Sequence, residues 1–179
     1  MKKVAVMVAA FSAAILICSS AFAVSPLRAV GIEAGYVSPD VNGGTVDMNT
    51  WIAGVYLDFG LPATNLYVNP FVNYWNWSDG SGSSETSFHD WTIGANLKWT
   101  VPTAGKISPF LAAGASAHML NVSQDALNLN EGDTKFGFQF GGGASVGVTQ
   151  SASIIGSGWY HIVDNVNQWS ARAGLAFSI

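Results

Sequence analysis

Apolar and polar residues alternate along eight separate segments of the chain. In the clearest segment, Trp91–Trp99, the odd positions are apolar and the even positions are mostly polar. Successive side chains of a strand point to opposite faces, so this period predicts strands with one apolar face. Most segments reach the roughly 9–11 residues that a tilted strand needs to cross a bilayer. The eight are Val30–Val37, Thr50–Phe59, Leu66–Trp77, Trp91–Trp99, Ile107–Met119, Phe136–Val148, Ala152–Ile162 and Trp169–Ile179.

The links between the segments alternate in length. Short links are Gly60–Asn65, Thr100–Lys106 and Thr149–Ser151, and long polar links are Ser38–Asn49, Ser78–Ser87 and Leu120–Lys135. The last link, Val163–Gln168, is intermediate. Short turns at one end and long loops at the other are typical of an outer-membrane barrel. The pattern predicts an all-β, eight-stranded, antiparallel, up-and-down transmembrane barrel with both termini on the periplasmic side.

The aromatic residues cluster by strand end. Those predicted near the long loops are Tyr36, Trp51, Trp75, Trp77, Trp91, Tyr160 and Trp169. Those predicted near the short turns are Phe59, Tyr67 and Trp99. Aromatic side chains favour the membrane–water interface, so we expect two girdles. In a soluble sandwich these rings would fill the core and would not cluster by strand end.

The amino terminus has the layout of a secretory signal. Lys2 and Lys3 precede the apolar run 4–17, and Ala21-Phe22-Ala23 supplies small residues for cleavage. The run is shorter than the roughly 20 residues of a membrane-spanning helix. We expect a signal peptide over 1–23 and a barrel domain over 24–179. Cys18 raises a lipoprotein alternative, which Ile17 disfavours because such sites usually have a small residue before the cysteine.

Composition narrows the class further. Only 10% of the residues are charged, against about a quarter in ordinary domains. Cleavage after Ala23 would remove two of the 7 basic residues and none of the 11 acidic ones, leaving a formal charge of −6. The basic surface expected of a nucleic-acid-binding protein is absent.

The chain resembles the small outer-membrane β-barrel family that includes the OmpA membrane domain and OmpX-type proteins. The best stretches are Ser108–Ala115 and Phe138–Tyr160. The carboxyl terminus also resembles the family's assembly signal, with Phe177 third from the end, although Ile179 stands where an aromatic residue is typical. The resemblance implies partners in outer-membrane lipid, lipopolysaccharide and the barrel-assembly machinery. It implies architecture rather than function.

Four charged residues are predicted to face the barrel interior: Glu33, Asp58, Lys98 and Arg172. Asn69, Asn73, Asn96 and Gln139 are predicted to join them. Eight strands leave an interior that side chains can fill, and buried charges need partners. Because the first and last strands close the barrel, we hypothesise an ion pair between Glu33 and Arg172. The alternative is a solvated polar plug.

Three functions stay open. The first is a structural or surface-interaction role, in which long acidic loops meet a surface ligand. The second is a channel for small solutes or hydrophobic compounds. The third is a lipid-modifying enzyme, which needs a nucleophile, a base and a carboxylate together. His89, His118 and His161 map to the long-loop end with Ser116 and Ser157 nearby, but a wet rim explains them more simply. The sequence favours the first role and implies no catalytic residue, cofactor or resident metal.

Overall fold

In the computed structural model, eight strands follow one another along the chain and each pairs antiparallel with the next. The structure describes residues 27–41, 48–62, 64–80, 86–124, 129–164 and 166–179. The strands are β1 Leu27–Val41, β2 Thr50–Gly60, β3 Leu66–Asp79, β4 Thr86–Thr100, β5 Ile107–Gln124, β6 Leu129–Gly147, β7 Ala152–Val163 and β8 Val166–Ser178. The predicted signal peptide lies outside the described residues.

The last strand returns to the first and closes the sheet. β1 pairs with β8 from Ala29↔Ser178 to Val41↔Val166, so the described strands form one closed barrel. Closure gives every strand two neighbours and leaves no open edge along the paired region. The predicted eight-stranded antiparallel barrel is confirmed. Among the described residues, no helix has the length and hydropathy needed to cross a membrane.

The barrel has two different ends. The terminal end carries the described ends of the chain, Leu27 and Ile179, and the links β2–β3, β4–β5 and β6–β7. The opposite end, where β1–β2, β3–β4, β5–β6 and β7–β8 are joined, is called the hairpin end. β5 and β6 pair as far as Gln124↔Leu129, whereas the β6–β7 ladder stops at Gly137↔Val163. The β5–β6 hairpin therefore projects beyond its β7 neighbour.

The predicted long links are partly wrong, because strands occupy much of them. Of these links, residues 38–41 belong to β1, residues 78–79 to β3, residues 86–87 to β4, residues 120–124 to β5 and residues 129–135 to β6. Consecutive residues 132–134 of β6 are all exposed, so both faces of the strand meet water there and the sequence has no reason to alternate apolar and polar residues. The backbone ladder continues there nevertheless, so a strand persists without its sequence signal.

Alternate residues of each strand fill the interior in layers. Near the hairpin end, Val37, Ile52 and Trp75 form an apolar cluster, and Trp77, Phe88 and Leu120 pack against it. A second apolar cluster consists of Tyr56, Phe71, Phe110, Ile155 and Ala176. Polar side chains lie between and beside these two clusters. The outer face carries large exposed apolar residues such as Phe136, Phe138 and Leu111.

Three of the predicted girdle positions are wrong. Trp75 is only 1% exposed and belongs to the interior apolar cluster, where Trp77 packs against it. Tyr67 faces the interior too, with its ring 5.4 Å from Lys98 Nζ. The position of a ring along a strand sets its depth, whereas its odd or even place sets its face. The outer face does carry Tyr36, Trp51, Trp91, Trp99, Tyr160 and Trp169, and Phe59 shares its face of β2 with Trp51.

Substitution of two glycines on neighbouring strands is expected to have opposite effects on the stability of the barrel. A Cβ at Gly174 would stand 2.1 Å from the backbone oxygen of Ile32 across the β1–β8 seam, whereas one at Gly156 would meet no atom within 4 Å. We expect Gly174→Ala to lower the urea midpoint of the refolded protein and Gly156→Ala to leave it nearly unchanged. The heat-dependent shift in gel mobility of refolded barrels gives the folded fraction. Equal midpoints for the two variants would contradict the tight seam.

Candidate functional site: the polar interior

The interior ion pair at the barrel seam joins Glu33 and Arg172. Arg172 Nη1 donates to Glu33 Oε1 at 2.5 Å. The side chain of Arg172 is 3% exposed and that of Glu33 is 11% exposed. Glu33 lies opposite Gly174 and Arg172 lies opposite Gly35. Neither charged residue therefore has a bulky cross-strand neighbour, and both long side chains can lie over the seam.

Each of the three guanidinium nitrogens of Arg172 has a polar partner. Nε donates to Ser170 Oγ at 3.0 Å, and Nη2 lies 3.3 Å from Nε2 of His161. The side-chain oxygen of Asn73 accepts from Nη1 at 2.9 Å in the amide orientation that satisfies both of its ends. Arg172 thus links side chains of β1, β3, β7 and β8. A buried guanidinium needs such a set of acceptors, because desolvation is costly for an unpaired charge.

A second ion pair lies nearer the terminal end. Lys98 on β4 pairs with Asp58 on β2. The other carboxylate oxygen of Asp58 accepts from Asn69 Nδ2 at 2.8 Å. The predicted interior set of four charges therefore forms two separate pairs. A cavity of about 30 Å³ lies between them and borders Glu33, Lys98 and Arg172. That volume suits about two water molecules, not an organic substrate.

A relay of side-chain hydrogen bonds runs along the interior from β5 to β2. Ser116 donates to Gln139 Oε1 at 2.6 Å, and Gln139 Nε2 donates to Asn96 Oδ1 at 2.7 Å. Asn96 Nδ2 donates to Asn69 Oδ1 at 3.1 Å, and Asn69 donates to Asp58. We call these five residues the interior relay. Each buried amide in it has both a donor and an acceptor partner, as buried polar groups require.

A proline fixes the direction of the interior relay. Val55 pairs with Val72 and Phe59 with Val68, which places Leu57 opposite Pro70. Proline has no N–H to donate to the ladder, and Asn69 Nδ2 donates to the carbonyl of Leu57 instead, at 3.2 Å. Asn69 Nδ2 faces two acceptors, Leu57 O and Asp58 Oδ1, so the side-chain amide cannot exchange the positions of its nitrogen and oxygen. Its oxygen must therefore accept a hydrogen bond, and this fixes which atom donates at each further step of the relay back to Ser116.

The other end of the relay meets His118 and Asp90. Ser116 Oγ lies 3.1 Å from Nε2 of His118, and Nδ1 of His118 lies 2.7 Å from Asp90 Oδ2. The same carboxylate oxygen accepts from Trp75, Thr92 and Gln168. His118 and Asp90 are both fully buried. The predicted wet rim is therefore wrong for His118 and for His161, which is 3% exposed. His89 shares the outer face of β4 with Trp91.

Ser116, His118 and Asp90 stand in the order of a nucleophile, a base and an orienting carboxylate. In a hydrolase, the serine proton points at the histidine so that the base can remove it. Here the relay directs the serine hydrogen to Gln139, so His118 Nε2 must donate to Ser116 rather than accept from it. Ser116 is 5% exposed and does not border the cavity. The arrangement resembles a catalytic triad in spacing but has the opposite proton direction, and its serine is buried among the described residues.

The comparisons with known proteins give a family and a fold. The family model described as outer membrane protein beta-barrel domain matches residues 9–177. The crystal structure of Neisserial surface protein A is similar, with 19% identity, coverage of 84% of this chain and 96% of that one, and a TM-score of 0.69. No curated protein matches.

Two further solved structures are similar at low identity. The attachment invasion locus protein Ail of Yersinia pestis has 16% identity, coverage of 85% of this chain and 99% of its own, and a TM-score of 0.58. The outer membrane enzyme PagL has 16% identity, coverage of 83% and 99%, and a TM-score of 0.52. Identities this low show the shared fold alone.

The proton direction at Ser116 leads to a prediction about reactivity. We expect the folded protein to resist labelling by a fluorophosphonate probe, because Ser116 is buried and its hydrogen is committed to Gln139. Intact mass after incubation measures the label, and a serine hydrolase in the same tube checks the probe. Stoichiometric labelling that disappears in Ser116→Ala would contradict the assignment of these residues to the relay.

Proposed function

The chain belongs to the outer membrane protein β-barrel domain family, and from that premise we propose a structural and surface-interaction role with a closed lumen. The single observation that carries this proposal is the filled interior. Its charges are paired, its amides are bonded in series and its hairpin end is capped by packed apolar side chains. An eight-stranded barrel is just wide enough to be filled in this way.

The apolar cap is the main barrier to solutes. An ion entering from the hairpin end would have to pass Val37, Ile52 and Trp75, which are at most 2% exposed. It would then have to separate the Glu33–Arg172 pair, whose carboxylate would be left buried and unpaired. These two barriers favour a closed barrel over a channel.

The orientation and the partners are part of the proposal. Both termini face the periplasm, and the hairpin end faces outward. The projecting β5–β6 hairpin supports this orientation, because it reaches beyond the rows of outward-facing rings that include Trp91 and Tyr160. Its exposed strands would meet a surface ligand. Lipopolysaccharide would surround the outer face, and the assembly machinery would recognise the alternating strand that ends at Phe177 and Ile179.

The lipid-modifying alternative has a specific observation in its favour, namely the Ser116, His118 and Asp90 distances. Three features weigh against it. These residues face the interior, whereas acyl chains contact the outer face. The serine hydrogen points away from the histidine. The interior cavity of about 30 Å³ is not lined by any of these three residues, and its volume suits water rather than lipid.

Conductance in a planar bilayer tests the proposed closed lumen. We expect no reproducible open level after insertion of the refolded protein, because the cap and the paired charges block ion entry. A large-pore porin added to the same bilayer checks that the recording works. Gel mobility of the heated and unheated sample checks that the protein is folded. Uniform current steps that vanish when the inserted protein is heat-denatured would instead establish a channel.

A further inference from the structure

The ammonium of Lys98 is surrounded by three aromatic rings. Its Nζ lies 5.5 Å from the ring centre of Tyr56, 5.4 Å from that of Tyr67 and 5.5 Å from that of Phe110. Each distance is within the roughly 6 Å over which a cation is attracted to a ring face. We call the three rings together with the Asp58 carboxylate the cation cage.

Four neighbouring strands build the cation cage. β2 supplies Tyr56 and Asp58, β3 supplies Tyr67, β4 supplies Lys98 and β5 supplies Phe110. Tyr56 and Phe110 are each 7% exposed and belong to one apolar cluster, which fixes the rings in place. Asn69 holds Asp58 from the other side. Two of the three rings are therefore held by packing in which the lysine takes no part.

We propose that the terminal end of the lumen is an aromatic-cage site for organic ammonium ions, which the chain fills with its own Lys98 side chain. Several ring faces around one carboxylate are the chemistry that recognises quaternary and alkylated ammonium ions. A simple lysine–aspartate ion pair needs only the carboxylate. The tethered lysine excludes free ammonium ions because its effective concentration in the cage is high.

The charges around the cage support a cationic occupant. Glu33 and Arg172 border the same cavity as Lys98 and compensate each other's charge, and Asp58 compensates the charge of Lys98. Removing the lysine charge leaves Asp58 uncompensated among aromatic rings, so the empty cage would favour a cation. The side chains of Lys98 and Asp58 retain 12% and 9% exposure, and Lys98 lies close to the end of β4, so an ion can approach from the terminal end.

Tetramethylammonium binding to the full-length Lys98→Ala variant tests the proposal. The protein is refolded in detergent micelles, and binding is measured by saturation transfer to the methyl protons and by the urea midpoint. We expect millimolar binding and a raised midpoint relative to sodium chloride at equal ionic strength. We expect no binding to the unsubstituted protein, whose cage is occupied, and none for neutral tert-butanol with the variant. Adding Asp58→Asn should weaken tetramethylammonium binding roughly tenfold or more.

Arg172→Ala is the matched control, because it also removes a buried cation from a carboxylate but leaves no set of three ring faces; the Trp159 ring lies 6.0 Å from the guanidinium carbon and the His161 imidazole contacts Nη2 through its ring nitrogen. Equal stabilisation of this control by tetramethylammonium would overturn the cage. Binding of methylammonium but not tetramethylammonium would also overturn it, because that selectivity indicates an ordinary ion pair. Should Lys98→Ala fail to fold in sodium chloride, the refolding yield becomes the readout. A yield restored by tetramethylammonium supports the cage, and an unchanged yield rejects it.

The two proposals fail separately. The cation cage does not depend on whether the lumen conducts, and the bilayer recording does not depend on ammonium binding. A barrel that conducts but binds tetramethylammonium in the Lys98→Ala variant would refute only the closed lumen. A closed barrel whose variant binds none would refute only the cation cage.

Discussion

The ion pair between Glu33 and Arg172 lies where the barrel closes, and much of the interior is arranged around it. A sheet in a membrane must satisfy its backbone groups internally, so β1 has to pair with β8. The two glycines that face the charged residues, Gly174 and Gly35, leave the seam open to long side chains. The pair then spans the joint between the first and the last strand. Arg172 extends the connection to Ser170, His161 and Asn73.

The need to satisfy backbone hydrogen-bonding groups inside the barrel also explains the interior relay. A proline in β3 removes one ladder donor, and Asn69 replaces it with its side-chain amide. This local substitution sets the orientation of Asn96, Gln139 and finally Ser116. The consequence reaches function, because a serine whose hydrogen is held by an amide is not an activated nucleophile. The constraint that completes the polar interior thus also sets the proton direction at Ser116.

Much of the fold could be predicted from the sequence. Eight alternating segments gave the strand number, and the polar faces of those segments identified the four interior charges. The inward orientation of Trp75 and Trp77 was also predictable, because both share the odd positions of β3 with Asn69 and Asn73. The prediction of two girdles used only the position of each ring along its strand and not the face on which it lies. The outer part of β6 could not be predicted, since consecutive residues 132–134 are exposed on both faces of the strand and have no reason to alternate.

The arrangement around His118 could not be predicted from spacing. Asp90 and Ser116 lie on different strands, and their approach to one imidazole depends on the register of β4 against β5. That register pairs Thr92 with His118 and Gly94 with Ser116. A shift of one residue would turn every interior side chain outward, so the contact exists only in the assembled barrel. The proton direction depends on still more distant groups, ending at Leu57 and Asp58.

A double-mutant cycle on Glu33 and Arg172 tests the central claim most directly. The variants are Glu33→Gln, Arg172→Met and their combination, with unfolding by urea followed in lipid vesicles. If the pair is buried and mutually compensating, each single substitution destabilises the barrel by about 3–5 kcal/mol, and the double variant loses much less than the sum. Strictly additive losses, or single losses within about 0.5 kcal/mol of zero, would contradict a paired and water-excluded seam.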